Sequence, residues 1–292
     1  MNNYKLLLSL ITIIVLFTGC GKGDNNSMFR ADLQNTGVYK TKGVPNSPNV
    51  KWKFETDSVV SSSPAISVGV VYFGSNDGYL YAVDAKSGEQ IWKFDTDGRV
   101  ESSPAICDGV VYVSRAWGYL YALDAESGEQ IWKFKTRGEV YSSPAISDGV
   151  VYIGDWDGYL YAFDTEKGNK IWGFEADDHI HYSPAISDSV IYFGNYTPSK
   201  WRNHFYYYLY ALDSKSGKEI WKFETDSDVR TSPTICDGAV YFGSKDNYLY
   251  AVDAMNGKEI WKFETDWPVF STPTICNGVI YFGSVDGLYA IE

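Results

Sequence analysis

From Trp52 onward, short apolar and aromatic runs alternate with tight polar punctuation at a spacing that suits strands and no helix. One unit reads Ser63-Pro64-Ala65-Ile66, then Gly69-Val70-Val71-Tyr72-Phe73-Gly74, then Tyr79-Leu80-Tyr81-Ala82-Val83-Asp84, then Ile91-Trp92-Lys93-Phe94. Each run is about five residues long, rich in β-branched and aromatic types, and bounded by Gly, Asp, Asn or Ser, which predicts four strands. The unit recurs. Tryptophan precedes a Lys-Phe or Gly-Phe pair at Trp52, Trp92, Trp132, Trp172, Trp221 and Trp261, with spacings of 40, 40, 40, 49 and 40 residues. Four strands in every forty residues predict one blade per repeat, so the chain reads as an all-β, six-bladed β-propeller of four-stranded antiparallel blades.

Calling the strands A to D in chain order, the prolines Pro64, Pro104, Pro144, Pro184, Pro233 and Pro273 all fall in strand A, an innermost strand that tolerates a missing N–H. The last copy stops at Tyr289-Ala290-Ile291-Glu292, after its third strand, while an orphan fourth strand, Val50-Lys51-Trp52-Lys53-Phe54, stands at the other end. The expectation is that this N-terminal strand closes the last blade, giving a monomeric ring without a long unpaired edge.

The N-terminus has a different pattern. A polar start with Lys5 leads into an apolar run from Leu6 to Phe17 and then Thr18-Gly19-Cys20. Twelve apolar residues fall short of the roughly 20 that a spanning helix needs, but fit the core of an export signal. The expected organisation is a signal peptide over 1–19, a tether and lead-in segment over 20–48, and a single propeller domain over 49–292. Leu16-Phe17-Thr18-Gly19-Cys20 resembles the bacterial lipobox, with Phe17 where Leu is usual, and the resemblance implies lipidation of Cys20 and localisation as a membrane-anchored lipoprotein at the cell envelope.

A second resemblance lies in the repeat. Ala82-Val83-Asp84-Ala85-Lys86-Ser87-Gly88-Glu89-Gln90-Ile91-Trp92 resembles the tryptophan-docking motif of the pyrroloquinoline-quinone-like (PQQ-like) repeat family, and recurs at Ala122–Trp132, Ala162–Trp172, Ala211–Trp221 and Ala251–Trp261. The resemblance implies that Trp52, Trp92, Trp132, Trp172, Trp221 and Trp261 dock neighbouring blades while the Asp and Gly shape the C–D turn. It also implies a choice of function, since one branch comprises quinone- and Ca²⁺-dependent dehydrogenases and another comprises BamB-like lipoproteins that scaffold outer-membrane barrel assembly. The dehydrogenases resemble longer, eight-bladed rings with an adjacent Cys-Cys pair, which this chain lacks. Cys107, Cys236 and Cys276 take a repeat position filled by Ser elsewhere, and equivalent positions on neighbouring blades are too far apart for a disulfide between them.

Charge and loop chemistry narrow the reading. The net charge of −12 repels phosphate backbones, so nucleic acid is not an expected partner. Comparing the copies with one another, the A–B and C–D turns barely change, whereas the D–A and B–C connections differ throughout. Antiparallel strands return alternately to two faces, so both variable sets share one face. Three residues before each proline stand Ser61, Glu101, Tyr141, His181, Arg230 and Phe270; two residues earlier stand Val59, Arg99, Glu139, His179, Asp228 and Pro268. The B–C loops add Trp117 and Trp156, and the fourth repeat carries nine extra residues within 195–207, including Trp201, Arg202 and Phe205. Aromatic and Arg side chains anchor protein interfaces, and Trp and Tyr also stack on sugars. The candidate binding face is therefore Glu101, Tyr141, His181, Arg230, Phe270, Trp117, Trp156, Trp201, Arg202 and Phe205. His179, His181 and His204 cluster in the fourth repeat and form a minor candidate for a transition-metal site; no metal or cofactor is otherwise expected. The sequence predicts a non-catalytic scaffold that binds envelope proteins or a surface polymer. The alternatives are a quinoprotein dehydrogenase-like enzyme and a carbohydrate-binding or sensory propeller.

Overall fold

Why strands form where they do is visible in how each is buried. The third strand of every repeat, such as Tyr79–Asp84, is apolar on both sides of the pleat, and its inner residues Leu80 to Val83 are all buried. The fourth, such as Gln90–Asp95, alternates, with Trp92 and Phe94 turned inward and Gln90, Ile91, Lys93 and Asp95 exposed. An inner strand sandwiched between neighbours and an outer strand with one wet side are what these two patterns dictate. The computed structural model describes residues 50–197 and 207–292. These form an all-β structure of six antiparallel sheets, five with four strands in the order A-B-C-D and the last, Thr274–Cys276, Val279–Ser284 and Gly287–Ile291, with three. The six-bladed propeller architecture is as the repeat predicts. The expected signal peptide, Cys20 and the 20–48 lead-in lie outside the described residues.

Strand A is innermost, because the A strands of successive blades contact one another. It is only three residues long, and the repeat proline stands just before it, so Pro64 precedes Ala65–Ser67 rather than lying within the strand. A belt of hydroxyls links the inner ends. The backbone N–H of Ser63 donates to Ser103 Oγ at 2.9 Å, Ser103 to Ser143 at 2.9 Å, Ser143 to Ser183 at 2.8 Å, Ser183 to Ser232 at 3.0 Å and Ser232 to Thr272 Oγ1 at 3.2 Å. The Ser or Thr before each proline from Pro104 to Pro273 thus accepts the N–H of its counterpart in the preceding blade.

At the outer rim each tryptophan reaches the next blade. Trp52, Trp92, Trp132, Trp172 and Trp221 donate Nε1–H to the carbonyls of Ala85, Ala125, Thr165, Ser214 and Ala254, at 3.0 to 3.1 Å. The indoles lie flat on Gly88, Gly128, Gly168, Gly217 and Gly257, where a Cβ would come within 2.5 to 2.6 Å of the ring and where φ is +67° to +77°. Two independent demands therefore fix glycine at this turn, a left-handed backbone and a tryptophan with no room above it. The turn aspartate holds its own loop: Asp84 Oδ1 accepts from the N–H groups of Lys86 and Ser87 at 2.9 and 2.7 Å. Trp261 differs. It packs against Tyr241 and has no further C–D turn to dock on among the described residues.

The predicted closure by the N-terminal strand is not what the structure holds. Residues 50–54 form no strand, and Gly287–Ile291 has an unpaired edge among the described residues. Trp52 is docked on the first blade, but Tyr281 does not join it there as Tyr72 joins Trp92 on the Ala125 carbonyl. Tyr281 is 40% exposed whereas its counterparts Tyr72, Tyr112, Tyr152 and Tyr192 are buried. Ser63 and Pro64 are exposed, whereas Ser103 and Pro104 are buried. The A strands of successive blades contact one another, whereas those of the first and sixth make no contact of that extent among the described residues.

Candidate functional site

Backbone bonds confirm that the D–A and B–C connections share a face. The B–C residues Asn76, Ala116, Trp156, Tyr196 and Lys245 donate their N–H to the D–A carbonyls of Val59, Arg99, Glu139, His179 and Asp228, at 2.7 to 3.0 Å. In the first five blades each B–C loop is thereby clamped to the D–A connection beside it.

On this face the predicted residues resolve into two features. The first is a row that crosses blades three to six. Tyr141 stacks on His181 at 5.1 Å with an interplanar angle of 11°, and His181 meets Tyr182 at 4.9 Å and Tyr196 at 6.0 Å. Arg230 then lies over the Tyr196 ring at 4.5 Å and near the Phe270 ring at 5.6 Å. Trp156 stands behind the row and presents edges to Tyr141 at 4.9 Å, His181 at 5.5 Å, His179 at 5.7 Å and Tyr196 at 6.3 Å. Edge-to-face and offset contacts of this kind contribute about 0.5–1.5 kcal/mol per pair, so the cluster is pre-formed rather than assembled on contact. Burial together with the Arg230 charge holds the His181 imidazole below its usual range, which keeps it neutral and stacked. Tyr141 donates to Glu139 Oε2 at 2.5 Å, and burial with this carboxylate raises its pKa.

Beneath the row lies a buried polar brace. Thr197 Oγ1 donates to Asp178 Oδ2 at 2.6 Å, and the Thr197 N–H donates to Asp228 Oδ1 at 3.1 Å. Asp228 is 2% exposed, and its Oδ2 takes Arg230 Nε and Nη2, each at 3.2 Å. The first residues of the fourth repeat's long loop are therefore tied to both neighbouring D–A connections, and the Arg230 fork is fixed by the same carboxylate.

The second feature is a groove of about 460 Å³ between blades two and three, lined by Trp117 and Trp156 with Lys135, Arg137, Glu139 and Asp157 among the residues between them. Trp117 is 62% exposed, so it belongs to this groove and stands apart from the row. Glu101 is half-buried and acts on Tyr141 through its charge. Trp201, Arg202, Phe205 and His204 lie outside the described residues. Among the described residues no group of three His, Cys, Asp or Glu side chains is placed to hold a metal, and His179 and His181 serve as rings around Trp156.

Some residues of the cluster escaped the sequence reading. Tyr182 stands where the other copies carry Ser62, Ser102, Ser142, Thr231 and Ser271, most of which brace the end of strand B, as Ser62 does by accepting from Gly74 N–H at 2.7 Å. That departure was visible by comparing copies one position closer to the proline. Tyr196 and Thr197 open the long loop and were read only as part of an insertion.

Variable loops clamped to one another on blades of constant pattern define a repeat propeller. The chain belongs to the PQQ-like repeat family whose model is described as outer membrane protein assembly factor BamB, which matches residues 45–116, 76–196 and 207–291. No curated protein matches the chain. Among solved structures it is similar to BamB from Moraxella catarrhalis, with 21% identity, 83% of this chain and 87% of that one covered, and a TM-score of 0.53. It is also similar to a quinohemoprotein alcohol dehydrogenase from Comamonas testosteroni, with 20% identity and a TM-score of 0.69; 83% of this chain matches 49% of the enzyme, about half its length. A computationally designed protein, Ika8, aligns over 80% of this chain and 71% of its own at 15% identity, with a TM-score of 0.68. These structural likenesses speak to the fold. Of the buried carboxylates on this face, Asp155 accepts from the N–H groups of Tyr159 and Gly138 and from the Tyr161 hydroxyl, and Asp178 and Asp228 are taken up by the brace.

Proposed function

We propose that the protein is a non-catalytic scaffold, exported and held at the envelope membrane by a lipid on Cys20, that binds another protein through the D–A and B–C face. The observation that carries this reading is the continuous row Tyr141, His181, Tyr196, Arg230 and Phe270, backed by Trp156. Rings and an Arg fork that are rigid before contact lose little entropy on binding, which is the profile of interface hot spots. The family membership supports a scaffold, and the lipobox supports the anchor. Trp201, Arg202 and Phe205 belong to the loop that Thr197 opens and are assigned to the same contact.

The test is crosslinking on intact envelopes followed by pull-down, comparing native protein with Tyr141→Ala and Arg230→Ala. Loss of a shared set of partners in both variants, with the fold retained, is the expected result; identical partner sets in all three would overturn the assignment of this face. Radiolabelled palmitate incorporated into the native chain but not into Cys20→Ser tests the anchor separately.

A further inference from the structure

We propose that the groove between blades two and three is a saccharide site, taking a neutral oligosaccharide stacked on Trp117 with its hydroxyls bound by Arg137, Glu139 and Asp157. The site shares Trp156 with the protein-binding row, but its test reads Trp117 and Asp157, which the row does not use.

The argument starts with Trp117. A Cβ on Gly98 would meet the Trp117 ring at 3.4 Å, so one edge of the indole rests against the Gly98 backbone, and the Arg115 guanidinium stands 5.9 Å from the ring centre. Arg115 is itself fixed, donating Nη1–H to the Thr96 carbonyl at 2.7 Å and stacking on Tyr119 at 4.5 Å. The indole is therefore held from below and left 62% exposed above. The exposed indole and Trp156 give the groove two aromatic residues in its lining on which an occupant can stack. Trp156 faces it across the groove on the neighbouring B–C turn, pinned by four aromatic neighbours.

The charged groups between the two indoles decide what the occupant is. Lys135 and Arg137 are matched by Glu139 and Asp157, so the groove carries no net charge in a chain of net charge −12. None of the four is in an ion pair among the described residues, although both signs line one groove. Arg137 lies instead over the Tyr159 ring at 4.2 Å, and Glu139, which also lines the groove, accepts the Tyr141 hydroxyl at 2.5 Å. A phosphate or sulfate would select cations without carboxylates, and a cationic ligand the reverse. A polyol needs both donors and strong acceptors, because each hydroxyl gives one bond and accepts others. Aromatic walls with a few convergent polar groups in about 300–1,000 Å³ are the usual form of a small-molecule site. Gly138 keeps the floor open: a Cβ there would stand 2.5 Å from the Asp157 nitrogen, so the two loops meet with no side chain between them.

Saturation-transfer NMR of the native protein with maltotetraose, cellotetraose, chitotetraose and mannotetraose tests the proposal. At least one is expected to bind with a Kd between about 0.1 and 10 mM, and to do so with little change on raising salt, since a neutral ligand has no charge to screen. Trp117→Ala should weaken it by about tenfold or more, and Asp157→Asn by several-fold, with the circular dichroism of both variants unchanged because both side chains lie at the surface. The proposal is overturned by absence of transfer to all four probes, by binding that Trp117→Ala leaves intact, or by preference for a heparin tetrasaccharide that salt abolishes.

Discussion

The inter-blade tryptophan is the joint on which the architecture depends, and replacing Trp132 with Ala measures it. Trp132 is 8% exposed, covers Gly168, leans on Tyr112 at 5.8 Å and Phe163 at 6.5 Å, and donates to the Thr165 carbonyl at 3.1 Å. Burying an aromatic ring of about 150–250 Å² at roughly 25 cal/mol per Å² is worth about 4–6 kcal/mol as an upper bound. The lost hydrogen bond adds little, because the Tyr112 hydroxyl still donates to the same carbonyl at 3.1 Å and no buried acceptor is orphaned. The expected cost is about 4 kcal/mol, within the range of about 3–5 kcal/mol found for buried Trp or Phe truncation and a large share of a total near 5–15 kcal/mol. Trp261 supplies the internal control, since it is half-buried and has no next turn to dock on among the described residues. Its replacement by Ala should cost about half as much. Urea unfolding followed by far-UV circular dichroism compares the two. Equal costs, or a Trp132→Ala cost below about 1 kcal/mol, would refute the claim that the indole earns its stability at the blade interface rather than within its own sheet.

Three further outcomes follow from the same geometry. Val68 occupies the first position of an A–B turn at φ +48°, where the other copies carry Asp or Asn, and is 90% exposed, so Val68→Asn should raise stability by about 1 kcal/mol in urea titration; a loss would contradict the strain. Acid should act in two windows. His181 is depressed below 6.5 in the folded state, so its contribution is complete above pH 6.5 and lost as pH falls through the lowered value, and His181→Phe should shrink the fall in urea midpoint between pH 7.5 and 5.5. Asp84, Asp124 and Asp213 sit below 3.8 because their own turns donate to them, so the stability they add is present above pH 3.8 and lost below it in native protein and His181→Phe alike. Asp228→Ala should cost about 2 kcal/mol, less than the 3–5 kcal/mol of a fully buried pair because Arg230 remains partly hydrated; a neutral effect in urea titration would contradict the brace.

What could be read from the chain and what could not divide along a physical line. The blades were legible because their information is local and repeated: a period of two in strand D, a continuous apolar strand C, and an Asp, Gly and Trp that recur at fixed offsets. The shared face of the variable loops was legible too, as it follows from antiparallel connectivity alone. Ring closure was not. It requires a long-range pairing between the two ends that no single repeat encodes, and Val50–Phe54 carries a strand pattern without forming a strand. Within the site, Tyr141, His181, Arg230 and Phe270 emerged by comparing one repeat position, and the structure lines them up. Trp117 came from a neighbouring loop and turned to a separate groove, because where a loop side chain points depends on its support, here Gly98 and Arg115.

The measurement closest to the central claim is envelope crosslinking with a photoreactive group placed in turn at Trp156, Phe270 and, on the opposite face, Asp108. Adducts to a common protein partner from the first two positions and none from Asp108 are the predicted result. Adducts from Asp108 alone would place the contact on the face of unvarying turns and contradict the account.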